Sequence, residues 1–335
     1  MTLLLIDIGN TRVKWARLRN DKMTKQQAAA NADWTANDYA RIIGRGWTQS
    51  AATATADRAL PARLRAGSER RPSNAEIHAG AARRSSDVGA DMQTANRVIS
   101  RRGSHTGVTG ASTDPADPMS AHRIIVASVA GDEVNQALTK AAAQAGAPPP
   151  EFVTSERTAA GITTDYIDPW RLGVDRFVAA IGAHHLSSRN PVCVVSIGTA
   201  MTVDLVDGSG RHRGGAIVPG PALMVSSLLT QTNGIRRRAT GGPNGAAGMF
   251  AKTTRNAIGE GARYAAAGVI DRALEEARFL VGTKPLVLLT GGAAADIKPL
   301  IRSTCVSLPD LVLHGLAVWA HQTPPQTHRK RRPLV

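Results

Sequence analysis

Two cysteines in the chain, Cys193 and Cys305, leave no disulfide framework and no zinc-ligand spacing. Cys193 lies inside an apolar run, where a thiol is most simply a small core residue. Aromatics make up only 4% of the chain, too few for the basic-aromatic stripe of a nucleic-acid binder. No apolar stretch approaches the roughly 20 residues needed to cross a bilayer. Asp7 interrupts the apolar start that a secretory leader would need, so a cytoplasmic protein without a membrane partner is expected. The nucleotide signatures Gly-x-Gly-x-x-Gly and Gly-x4-Gly-Lys-Ser/Thr are missing too; the stretch from Gly245 to Thr254 fails the second spacing and follows no strand. His184 and His185 are adjacent, so on a helix they diverge by about 100° and make no metal pair. No Ser-His-Asp arrangement follows from spacing.

Acidic residues are also scarce relative to basic ones, and the formal charge is +15. Basic groups cluster at Arg236-Arg237-Arg238 and at Arg329-Lys330-Arg331-Arg332, with others scattered through 45–122 among acids. This reads as an Arg-rich composition with a solvated tail at 323–335, attractive to anionic ligands but carrying no nucleic-acid partner.

What the chain does have is one segment twice. Four apolar residues run into Leu5-Ile6-Asp7-Ile8-Gly9-Asn10-Thr11, and Val192-Cys193-Val194-Val195 runs into Ser196-Ile197-Gly198-Thr199-Ala200-Met201-Thr202. Each reads as a buried strand ending in a Gly/Thr turn, then a second strand, at Val13–Leu18 and Thr202–Val206. Glycine has no Cβ, so backbone N–H groups and hydroxyls can approach an anion closely there. Two such copies suggest two related half-domains gripping one nucleotide, hence an ATP-using enzyme.

The 335 residues allow two half-domains, 1–150 and 151–322. From about 45 to 121 the chain is rich in Ala, Ser, Thr, Arg and Gly, and beyond a possible helix at 59–66 it reads as a flexible insertion. Strand 123–129, a helix over 132–145 and its breaker Pro148-Pro149-Pro150 follow. A helix then starts near Asp175, and a hairpin leads into Gly214–Gly220. A long helix covers 254–279, a buried strand 286–290 and a final apolar helix 311–321. Mixed strands and helices in two similar halves argue an α/β protein.

Asp7, at the exit of a buried strand, is costly unless paired or bound to a cation; beside a phosphate turn it would hold Mg²⁺, directly or through water. The alternative is a turn-capping Asp. Lys14 could reach a phosphate or stay exposed. Gly173-Val174-Asp175-Arg176 puts a possible base and a cation at a helix start, or merely an N-terminal Asp and an exposed Arg. Thr199, Thr202 and Asp204 surround the second turn, and Gly291-Gly292 would admit a base or ribose or simply end a strand.

Taken together, these segments resemble the type III pantothenate kinases of the acetate kinase/Hsp70/actin-like superfamily. Asp7–Thr11 is similar to the family's first phosphate motif. Tyr166 with Leu172-Gly173-Val174-Asp175-Arg176 resembles its substrate-binding and catalytic stretch. Gly198-Thr199-Ala200, Gly214-Gly215-Ala216-Ile217-x-Pro219-Gly220 and the Thr254-x-x-Ala-Ile helix also fit, over roughly 1–35 and 123–320. The resemblance implies a duplicated actin-like (ribonuclease H-like) ATPase fold and transfer of phosphate from ATP, with Mg²⁺, to the primary hydroxyl of pantothenate. It implies Asp175 as general base, Asp7, Ile8, Gly9, Asn10, Thr11, Arg12, Val13, Lys14 and Thr199 around ATP, and Tyr166, Gly173, Val174, Asp175, Arg176 and Thr254 around pantothenate. It further implies a homodimer with the substrate site near the interface, so that Thr254 could act in its own or the partner's site. Two other readings stand beside it: an accessory transcriptional regulator on the same fold, and a kinase for another small hydroxy acid. Three departures matter. Ser196 stands where the family usually has an Asp that helps bind K⁺ or NH₄⁺, and a neutral hydroxyl holds such a cation less well. Met201 replaces a frequent Thr, and 45–121 has no counterpart in compact members.

Overall fold

The computed structural model describes residues 2–31, 34–44, 58–59, 123–240 and 248–324. The expected insertion, its helix at 59–66 and most of the basic tail therefore lie outside the described residues, apart from the strand at 58–59.

Two seven-stranded sheets repeat one plan. In the first, β1 (Thr2–Ile8) pairs antiparallel with β2 (Arg12–Arg19), and β2 with β3 (Lys22–Met23) and β4 (Gln27–Ala30). The short β5 (Arg58–Ala59) extends that edge beyond β3. On the other side β1 runs parallel to β6 (Arg123–Ser128), and β6 to β7 (Pro150–Phe152). In the second sheet two β-strands, β8 (Thr158–Ala159) and β9 (Ile162–Thr164), flank the same arrangement. There β10 (Val192–Ile197) pairs antiparallel with β11 (Ala200–Val206), which pairs with β12 (Arg211–Pro219). On its far side β10 runs parallel to β13 (Leu286–Thr290), and β13 to β14 (Val306–Ser307). Third, second, first, fourth and fifth strands thus occur in that order twice, which establishes the duplicated actin-like α/β fold.

Helices cover every sheet face. Alternate residues of a strand point to opposite faces. Leu4, Ile6 and Ile8 of β1 pack outward on the helices Ala36–Gly44 and Asp132–Gln144. Leu3 and Leu5 point inward, as do Val192 and Val194 of β10. Between the two sheets lie the helices Val174–Leu186 and Leu311–Gln322, mostly apolar and mostly buried. Gly182 and Gly315 let them touch: a Cβ on Gly182 would sit 2.8 Å from the Leu311 carbonyl oxygen. Outside the second sheet, Cys193, Val195 and Ile197 meet the long helix Thr254–Val281. Its start is capped by the Thr253 side chain, which accepts from the Asn256 N–H at 3.2 Å, and its end by Gly282 at φ 71°.

The long elements fall where the sequence pattern puts them, within a few residues. The division at 150/151 needs correction, because β7 crosses it and its parallel pairing with β6 assigns 150–152 to the first sheet. The final helix also crosses over: Arg123 of β6 donates to the Ala320 carbonyl at 2.7 Å while its fork holds Glu151 at 2.7 and 2.8 Å. The helices Pro221–Gln231 and Asn233–Arg238 were not anticipated, and both are largely exposed.

Candidate active site

The same alternation that buries Leu3 and Leu5 carries Asp7 onto the inner face of the first sheet. In β10 the inward series Val192, Val194 ends in Ser196. The registers match: Asp7 lies opposite Lys14 and Ala127, and Ser196 opposite Thr202 and Thr290. Beyond them the turns repeat as well. Gly9 N–H donates to the Arg12 carbonyl at 2.9 Å, and Gly198 N–H to the Ala200 carbonyl at 3.0 Å. Polar strand ends of both halves thus meet in one open cleft. Across it, the Thr11 and Thr199 hydroxyls stand 3.4 Å apart.

Asp7 is buried, with Lys14 Nζ at 3.6 Å from its Oδ2. Burial pushes its carboxyl up to about 6; Lys14 opposes the rise and the Asp175 charge adds to it. A carboxylate that pays such a desolvation penalty in the open protein gains from a cation beside it. Glycines shape the rest: a Cβ on Gly220 would strike the Gly198 carbonyl oxygen and lie 2.8 Å from that of Thr199, and one on Gly291 (φ 94°) would meet the backbone of Ile197. Positions 220 and 291, packed against the second turn and its strand, therefore need glycine.

Asp175 projects from the first turn of the inner helix and lines the cleft. Its Oδ1 accepts from the Arg176 N–H at 2.9 Å, one of the donors a helix start leaves unpaired. Burial raises its carboxyl above the ordinary range, with the hydrogen bond and charge of Arg176 opposing. Gly173 leaves room for this rotamer, since a Cβ there would lie 2.8 Å from Asp175 Oδ1.

Arg176 is held more tightly than any sequence argument foresaw. Its Nε and Nη2 grip Asp204 at 2.9 and 2.6 Å, and Nη1 donates to the Tyr166 hydroxyl at 2.8 Å. His212 Nε2 meets Asp204 Oδ1 at 2.8 Å, and the Thr164 hydroxyl lies 3.1 Å from His212 Nδ1. Burial alone would raise the Asp204 carboxyl; hydrogen bonds from His212 and Arg176 overcome it and hold it below the usual range. His212 and Thr164 were missed, and Asp204 was noted only as a neighbour of the turn. The available signal was a carboxylate in the otherwise apolar run Val203–Val206.

The structure gathers Asp7, Gly9, Asn10, Thr11, Arg12, Lys14, Asp175, Arg176, Ser196 and Thr199 around the cleft. Tyr166 reaches it through Arg176. Ile8 and Val13, expected around ATP, turn their side chains into the outer core, which leaves their backbone to meet a ligand. Val174 packs against the inner core. Thr254 opens the long helix and is not among the residues that line this cleft.

The family model and the sequence relatives agree on one family. The family model described as type III pantothenate kinase matches residues 74–276, more than half of the chain. That span begins inside the stretch read as an insertion and leaves out the Asp7 turn. A type III pantothenate kinase of Nitrosococcus oceani is 34% identical over 206 residues, covering 60% of this chain and 76% of the relative. One of Stenotrophomonas maltophilia is 37% identical over 172 residues, covering 51% and 68%. A solved Campylobacter jejuni protein described as a conserved putative Baf family transcriptional activator aligns over 94% of this chain and 95% of its own, at 14% identity and TM-score 0.45. Likeness that low adds nothing to the assignment, which rests on strand order and sequence relatives. With matched halves, paired turns and two carboxylates in one cleft, the chain belongs to the type III pantothenate kinase family.

Proposed function

We propose that the chain phosphorylates the primary hydroxyl of pantothenate at the expense of ATP, the first step towards coenzyme A. The observation that carries this reading is the placement of Asp7 and Asp175 in one cleft, where the Asp175 charge adds to the rise of the Asp7 carboxyl. The residues present fit a divalent cation and a polyphosphate: a buried carboxylate with a raised pKa, a lysine beside it, and turns whose glycines leave backbone exposed. When bound, Mg²⁺-ATP supplies the electrophilic phosphoryl group and neutralises charge on it.

The chain's own residues would do the rest. Asp7 would hold the cation, directly or through water, and Lys14 a phosphate oxygen. Beyond Gly9 and Gly198, whose N–H groups close the turns, the N–H groups and hydroxyls of Thr11 and Thr199 would face the remaining oxygens. Asp175 would accept the proton of the substrate hydroxyl, a task that suits a cleft-lining carboxylate whose basicity burial raises. Arg176 would supply a fixed cation to the anionic substrate. Positioning and electrostatics would carry most of the acceleration. Turnover of a panel of small hydroxy acids tests the reading: pantothenate should be the preferred acceptor, and equal use of the others would contradict it.

A homodimer is proposed on separate grounds. Ile217, Leu223, Leu228, Met249 and Phe250 are large, apolar and exposed around β12 and the start of the long helix. Thr254 lies in that region and off its own cleft, which suits service in a neighbour's site. Sedimentation should give twice the chain mass, and Leu228→Glu should halve it; a wild-type monomer would overturn the proposal.

A further inference from the structure

Three side chains, Asp204 in the cleft wall and His212 and Thr164 behind it, have no part in the chemistry above, yet they are among the most enclosed polar groups of the described residues. His212 is 0% exposed, Thr164 1% and Asp204 2%, while Arg176 above them is 6% exposed. They form one line. The Tyr166 N–H donates to the Thr164 hydroxyl at 3.2 Å, and that hydroxyl meets His212 Nδ1. His212 Nε2 meets Asp204 Oδ1, and both Asp204 oxygens hold Arg176. Arg176 closes the ring by donating to the Tyr166 hydroxyl. Ionised Asp204 can only accept, so the imidazole donates to it through Nε2, and Thr164, which accepts from the backbone, can give its own proton to Nδ1. Gly215 completes the enclosure, since a Cβ there would strike Asp204 Oδ1 and lie 2.8 Å from Arg176 Nη2.

An arginine has several staggered side-chain torsions, and leaving them free would cost entropy each time substrate bound. Three of the five guanidinium N–H donors are occupied by Asp204 and Tyr166, which fixes the plane and leaves the others for a ligand. We propose that His212 is a positioning residue: by donating to Asp204 and anchoring Thr164, it fixes Arg176 and Tyr166 in the orientation that receives the anionic end of the acceptor substrate. This rests on the reading of pantothenate as acceptor, and it goes beyond that reading in assigning a role to a residue that need not touch substrate. Geometry gives a sharp discrimination between substitutions. A glutamine can place an amide N–H near the position of Nε2, whereas a leucine of similar bulk has no donor and leaves an Asp204 lone pair buried without a partner.

The test compares His212→Leu and His212→Gln with the wild type, by steady-state kinetics and by the Arg176 Nε–H signal in protein labelled at arginine. That signal is assigned with Arg176→Lys. His212→Leu should raise KM for pantothenate about tenfold with KM for ATP nearly unchanged, and His212→Gln should recover most of the loss. The Arg176 Nε–H signal should be protected from exchange in wild type and His212→Gln, and should exchange rapidly in His212→Leu. An unchanged signal in folded His212→Leu overturns the proposal, as does a parallel rise of both KM values. Should His212→Leu fail to fold, Thr164→Val takes its place with the same expectations. If the signal responds as stated but wild type does not turn over pantothenate, the clamp stands and the substrate reading falls.

Discussion

The hydroxyls of Thr11 and Thr199 stand 3.4 Å apart although 188 positions separate them. Each belongs to one copy of the repeated turn, so the two halves meet at the spot where a polyphosphate would be gripped from both sides. Hydrogen bonds to a charged group are worth about 1.5–3 kcal/mol, or roughly 10- to 100-fold in affinity. Thr199→Val should therefore raise KM for ATP by about tenfold or more and leave that for pantothenate nearly unchanged. A Thr11→Val, Thr199→Val double-mutant cycle should be non-additive, because the hydroxyls share partners. Strict additivity would place them on separate ligands.

Asp7 links activity and stability with opposite signs. Its folded pKa is about 6 against an ordinary 3.8, so between those values the folded protein binds more protons than the unfolded chain. Stability from this group therefore falls as pH rises from about 4 to about 6, and the penalty is complete above that. Asp7→Asn should lose turnover yet gain on the order of 2 kcal/mol of stability in ligand-free protein at pH 8, a gain that fades towards pH 4. Denaturant unfolding at the two pH values checks this. In wild type, turnover should decline as pH drops through about 6 and the carboxylate needed for the cation is protonated. A variant less stable than wild type at pH 8 would contradict the account.

Gly215 offers a test of the buried pair without touching a charge. Even one methyl there would strike Asp204 Oδ1 and the Val203 carbonyl oxygen and crowd Arg176 Nη2. Gly215→Ala should cost about 1–3 kcal/mol of stability through overpacking. The surviving folded protein should show a raised KM for pantothenate. Wild-type kinetics in this variant would mean that the pair adapts without loss.

Ser196 occupies the place in the second half that Asp7 holds in the first, and its cross-strand neighbours Thr202 and Thr290 are neutral. With no carboxylate at that position, we expect turnover to vary little between K⁺ and Na⁺ buffers. Ser196→Asp should introduce K⁺ stimulation. Strong K⁺ dependence in wild type would place the cation on other groups.

Much of this architecture was legible because it is local. Asp7, Gly9 and Thr11 are contiguous, as are Ser196, Gly198 and Thr199, and strand alternation alone turns Asp7 and Ser196 to one face. What stayed hidden depends on contacts between distant elements. Arg176 and Asp204 are 28 positions apart, on a helix and a strand that meet only once the second sheet forms. Neither spacing nor periodicity reports such a pair. Ile8 and Val13 were drawn into the ATP motif by adjacency, but alternation commits their side chains to the outer core. Thr254 fits the family pattern along the chain but does not line the cleft, a distinction only three dimensions reveal.

The most direct measurement is ADP release by purified protein with Mg²⁺, ATP and pantothenate, beside Asp175→Asn. The account predicts pantothenate-dependent turnover in wild type and a loss of roughly 10²- to 10⁴-fold in kcat for the variant, with ATP binding retained. Folded wild type with no pantothenate-dependent turnover in any salt, or a variant that matches wild type, would contradict it.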